Sequence, residues 1–307
     1  MSCRFDRVLS LSGCLWALAS ACAELPASPI QTAQVYARAT NEFAVADFYK
    51  PAVATNAGPV FELAPLIIQE VTDDKAPAGL HPDLFGALSV SNGALTPGSS
   101  RATIYWALDS AQINGKSHPR FSYMWCYPFR EPRPARAEAT SSQADLSLQM
   151  QGIRITLDSR GRPAIWEVAA DTSGARLIFV SRSLESAAAA EFGKPLPGRR
   201  HSIERSIDDA PDVIVPRVID DGPMALGPII HLSAGTRDVS TLICRCMAAQ
   251  TKKLQAARTY DWLPIDAAFT NSLAAWANGQ AKGRTAFWPG GETENHLAGC
   301  LRWPTAF

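Results

Sequence analysis

Seven cysteines and five histidines are the residues with the widest chemical reach in this chain of 307. Cys244 and Cys246 lie two apart, which on a strand puts both thiols on one face. Such a Cys-x-Cys pair presents two soft ligands together, and Cys126, Cys300 or His231 could complete a tetrahedral Zn or Cu(I) site. In an oxidising compartment the same residues form disulfides instead. Four cysteines then admit three pairings, and because a bond between Cys244 and Cys246 is geometrically awkward, each is expected to reach for Cys126 or Cys300. The paired C-x-x-C knuckles of common zinc sites are missing, so structural cysteines are expected ahead of a metal or redox centre.

Catalytic signals are weaker. The sequence contains no G-x-S-x-G elbow, no H-E-x-x-H helix and no phosphate-cradling G-x-x-x-x-G-K-[ST]. Glu292, Glu294 and His296 could supply an acid and a base on one loop, but a solvated polar loop has the same composition. The carboxylate pairs Asp73-Asp74, Asp208-Asp209 and Asp220-Asp221 sit beside Gly and Pro, as turn residues do, and lack the alternation of a calcium loop. No catalytic residue and no cofactor is expected.

A third chemistry is stacking. Trp106, Tyr123 and Trp125 fall on one face of an expected hairpin, and an exposed row of such rings could bind a glycan or another envelope polymer. Six large apolar groups on that face are more simply core.

The elements that must position these residues begin with that hairpin. Asn114-Gly115 suits a type I′ turn, because both residues tolerate positive φ, and a two-residue loop there pairs Trp106 with Tyr123 and Leu108 with Phe121. A second hairpin is expected around Asp158-Ser159-Arg160-Gly161-Arg162, where a three-residue loop pairs Ile155 with Ile165 and Arg154 with Trp166. Leu177–Val180 adds a third strand to this meander. Further strands are expected at Val60–Val71, Asp212–Ile219, Ile229–Leu232 and Val239–Cys246, and Thr72–Ser100 reads as loop. One helix is expected at Leu184–Phe192, capped by Ser183 and stopped by Gly193. Another is expected from Ile265 to Trp276, where an apolar stripe repeats at helical spacing.

These elements give a β-rich fold, mainly antiparallel hairpins and meanders and α+β at most. The expected architecture is a two-sheet sandwich-like or open-barrel domain with two or three short peripheral helices. Residues 46–307 are expected to form a single domain, with a long loop or linker at 129–145.

Arg4 and Arg7, the apolar run Val8–Leu18 and the small residues Ala19, Ser20 and Ala21 have the three-part pattern of a secretory leader over residues 1–23. The apolar centre is too short to span a bilayer. Ala21-Cys22-Ala23 fits cleavage before Glu24, and Ala19-Ser20-Ala21-Cys22 resembles a lipobox that would lipidate Cys22. An Ala/Pro/Ser-rich spacer follows over 24–45. With 29 basic and 29 acidic residues the chain has no excess cation for nucleic acid, so no such partner is expected. The expectation is an exported bacterial envelope protein in the periplasm, on the outer membrane or outside the cell. It would act as a non-catalytic binding or structural module, touching a membrane only through a lipid at Cys22 and meeting an envelope component or polysaccharide.

Overall fold

The structure, a computed structural model, describes residues 46–52, 58–71, 85–91, 94–130, 146–168, 176–205, 213–222, 224–234, 236–243, 257–265, 297 and 301–307. The leader, the spacer, the 131–145 segment and the helix expected beyond Ile265 lie outside these residues. So do Cys22, Cys244, Cys246 and Cys300.

The chain is β-rich, and its strands join in one curled, mixed sheet that forms a half-barrel. Its centre is a meander of β4 (Ala94–Ile113), β5 (Lys116–Arg130), β6 (Leu146–Leu157), β7 (Pro163–Val168) and β8 (Arg176–Ser181). Beyond β8 lies the two-residue β10 (Val218–Ile219), and β9 (Val213–Ile214) pairs β8 off the main path. On the other side of β4 come β13 (Arg258–Pro264), β1 (Ala46–Pro51), β2 (Leu66–Glu70), β11 (Ile229–Leu232) and β12 (Val239–Ile243). A further strand, β3 (Gly86–Ser91), folds back on the start of β4.

The first hairpin forms in the expected register. Ile113 opposes Lys116, Trp106 opposes Tyr123 and Leu108 opposes Phe121. Asn114 and Gly115 adopt φ of 51° and 74°, the left-handed pair that a type I′ turn demands.

The second hairpin does not. Asp158 Oδ1 accepts from the N–H groups of Arg160 and Arg162, each at 2.8 Å, and Gly161 takes a φ of 74°, so the turn is the expected one. Leu157 accordingly opposes Pro163, but Thr156 opposes Ile165, which leaves Ala164 as an extra residue. This bulge slips β7 by one position and exchanges its faces. Ile155 now meets Trp166 rather than Ile165, and Arg154 meets Glu167 rather than Trp166.

Other expectations are corrected too. Val60 belongs to a short helix, α1 (Gly58–Glu62), and only Leu66–Glu70 of the Val60–Val71 stretch is strand. Residues 86–91 and 94–100, read as loop, are paired strand, because the backbone of β3 finds a partner in β4 despite poor local propensity. The strand at 258–264 carries no strong signal of its own, yet it is held by parallel partners on both sides, β1 and β4. The helix α2 (Arg182–Phe192) starts earlier than expected, and its cap is Ser181, whose Oγ accepts from the Leu184 N–H at 3.3 Å. It ends as expected at Gly193, φ 76°, whose N–H reaches the Ala189 carbonyl.

The concave face holds the main core. Phe121, Tyr123, Trp125 and Tyr127 from β5 pack with Ile153 and Ile155 from β6, and Leu177 and Phe179 from β8 join them. Ile219 from one end of the strand path and Leu242 from the other lie in the same cluster, so the sheet wraps around its own core. The alternate residues Ile178 and Val180 face outward under α2 and the 301–307 segment.

Candidate functional site

Of the cysteine and histidine candidates singled out for chemistry, the two described, Cys126 and His231, do not meet. Cys126 lies on β5, fully buried and without a disulfide; burial pushes its thiol well above the ordinary range and so disfavours the reactive thiolate. His231 lies on β11, between Thr241 and Ile68 on the neighbouring strands. Burial, assisted by the positive charge of Arg217, lowers its pKa to about 4, so the ring is neutral near pH 7. It stands five strands from Cys126 along the sheet. Among the described residues no three His, Cys, Asp or Glu side chains gather as metal ligands.

Tyr123 and Trp125 are sealed in the concave core, leaving no ring face for a sugar. Trp106 is half-buried and packs on Trp262, with ring centroids 6.1 Å apart. Leu108, on the same face, is exposed, so the apolar row runs out of core toward the hairpin tip.

The slipped register of β7 produces an arrangement the sequence did not announce. Arg154 donates to Glu167 across the outer face at 2.5 Å, and both side chains are almost completely buried. A bidentate pair one row away joins Arg120 to Asp109 at 2.6 and 2.7 Å. On the concave face the same slip turns Trp166 into the wall of a cavity.

That cavity occupies the seam of the half-barrel and has a volume of about 200 Å³. One wall is Pro163, Trp166 and Ile219, from β7 and the β10 end of the strand path; the other is Pro228 and Ile243, next to β11 and on β12, the opposite end. Residues 220–222 and 224–228, between β10 and β11, bridge the two and add Met224 and Leu226.

The bridge is pinned at both ends. Asp221 accepts from the N–H and the hydroxyl of Ser183 at 2.9 and 2.8 Å, where a carboxylate also complements the N-terminal dipole of α2. Asp220 accepts from Arg182. At the far end the Gly227 N–H donates to the Glu62 carbonyl at 2.9 Å. Any Cβ on Gly227 would fall 2.2 Å from the Leu63 carbonyl oxygen, so only glycine permits this approach. Met224, between these anchors, is 66% exposed at the surface.

Compared with known protein families, with curated proteins and with solved structures, the chain matches none. The chemistry of the cavity must therefore be read from its walls. They are mostly apolar, with Pro163, Trp166, Ile219, Leu226, Pro228 and Ile243 among them. At the rim, Arg162 and the pinned Asp220 and Asp221 are the charged groups.

Sequence reasoning missed this site because its residues lie as far apart as Pro163 and Ile243. One signal could have found part of it. Ile153, Ile155 and Leu157 mark the apolar face of β6, so Glu167 had to lie on the Arg154 face, which requires the slip.

Proposed function

We propose that the chain is a non-catalytic binding module exported to the bacterial envelope, its sheet an open barrel closed at the seam by residues 220–222 and 224–228. The observation that carries the reading is the cavity between the two ends of the strand path, with apolar walls, a pinned bridge and an exposed methionine at its edge. Concave, mostly apolar sites with few polar groups are the usual form of a small-molecule site, and methionine adapts to varied shapes. The leader pattern of residues 1–23 supports the address, by cleavage before Glu24 or by lipid at Cys22.

Native mass spectrometry of protein isolated from the producing cells tests both parts. The expected result is a chain beginning at Glu24 or at a lipidated Cys22, carrying a small molecule that is lost when Ile243→Trp fills the cavity. An intact start at Met1 inside the cell overturns the address. Ligand-free masses for both proteins, with no thermal shift from a panel of small apolar compounds, overturn the site. Turnover of a hydrolase panel that disappears on substitution of His231 overturns the non-catalytic reading.

A further inference from the structure

We propose that the seam cavity takes a compact, uncharged, apolar molecule of single-ring size and excludes the acyl chain of a membrane lipid. The inference rests on the reading of the cavity as a ligand site and adds the class of ligand.

Three observations set that class. The first is the character of the walls. Pro163 and Ile219 on one side, Pro228 and Ile243 on the other and Leu226 in the bridge are apolar side chains, so what the site offers a ligand is burial of carbon surface. The second is size. An apolar cavity of roughly 150 Å³ accepts benzene, so by proportion about 200 Å³ holds about eight carbon atoms. The bridge keeps the cavity near that size, because Asp221 is bound twice to Ser183 at one end and the backbone of Gly227 lies against the Leu63 carbonyl at the other. An acyl chain of membrane-lipid length does not fit. The third is charge. Among the described residues the charged groups at the rim are Arg162, Asp220 and Asp221, and Asp220 is paired with Arg182. Two cations and two anions leave no net field to hold an ionised ligand.

The series benzene, toluene, ethylbenzene, butylbenzene and hexylbenzene adds carbon without adding polarity. Its dissociation constants, read from headspace partitioning over the purified protein, are expected to fall about fourfold for each carbon up to ethylbenzene, the factor that about 0.8 kcal/mol per buried methylene supplies. Beyond ethylbenzene each carbon is expected to gain less than about twofold, because the added chain stays in water. Methyl resonances of Ile219, Leu226 and Ile243 are expected to shift with ethylbenzene, which locates the site without a variant, and Ile243→Trp is expected to abolish binding of the whole series. A fourfold gain that continues through hexylbenzene means that the site takes a chain; it overturns the size class and leaves the cavity reading intact. Binding of no member, or binding that leaves those methyl resonances unmoved, overturns the cavity reading itself. Benzoate has the shape of toluene with a carboxylate in place of the methyl group, and it is expected to bind at least about tenfold more weakly. Equal or tighter binding of benzoate overturns the uncharged class.

Discussion

The β4–β5 and β6–β7 hairpins begin with similar turn chemistry and end differently. In the first, Asn114-Gly115 sets a register that continues unbroken from Ile113 opposite Lys116 to Tyr105 opposite Met124. In the second, the register set by Asp158–Arg162 lasts for a single pair before Ala164 bulges out. The difference lies in what each register would bury. Continued without the bulge, the second would set Glu167 on the concave apolar face of β6 and press Trp166 against Arg154. An unpaired carboxylate in a core costs several kcal/mol, more than one irregular ladder step. Pro163, which has no N–H to lose from the ladder, stands beside the bulge. A turn therefore governs register only as far as the faces it pairs agree.

The sharpest way to break this comparison is to insert a second alanine after Ala164. With the bulge kept, the added residue takes the place of Ile165 opposite Thr156 and carries Glu167 opposite Ile153 into the core, and the expected outcome is loss of the cooperative urea transition. A stable, cooperatively folding insertion protein would show that the ladder absorbs a second extra residue. Next in size, Glu167→Ala leaves Arg154 without its buried carboxylate and is expected to cost about 3–5 kcal/mol in urea unfolding, and a joint Arg154→Met and Glu167→Leu change is expected to recover most of it. A loss below about 1 kcal/mol from the single change would mean that the ion pair does not hold the slipped register.

In the first hairpin Gly115→Ala tests the turn alone. Its φ of 74° suits glycine, and with nothing within 4 Å of an added Cβ the cost is backbone strain of about 1–2 kcal/mol. Cross-strand NOEs between β4 and β5 are expected to keep the same pairing, because the concave core enforces it independently.

A control lies at the far end of the sheet, where no effect is expected at neutral pH. The His231 pKa is lowered to about 4 in the folded chain from its ordinary 6.5, so between those values the unfolded chain holds the proton more readily. Its contribution is intact above pH 6.5 and declines as the pH falls toward 4. Denaturation followed over that range is expected to show a shallower loss in His231→Phe, with both hairpin registers unchanged. An identical pH profile in the variant would assign the acid sensitivity elsewhere.

Much of the meander was legible in the sequence because its signals act over a few residues. Period-two alternation marked Phe121, Tyr123 and Trp125, Leu177–Val180 read as a buried strand, and the alanine-rich run before Gly193 read as a helix. The strand at 258–264 was not legible, since it is held by parallel partners distant in the chain. The cavity was not legible either: Cys126 and His231, chosen for their chemistry, are separated by four strands, and Trp166, Met224 and Gly227 carry no motif.

By itself the sequence determined the class of structure and the faces of its first hairpin. Side-chain polarity and turn chemistry act between near neighbours and need no knowledge of the whole. Only the tertiary structure decided that β7 slips, that the sheet curls until Ile219 and Leu242 share a core, and that a cavity opens where its ends approach. Those outcomes depend on accumulated strand twist and on which distant groups must be paired once buried, and no local stretch of residues encodes either.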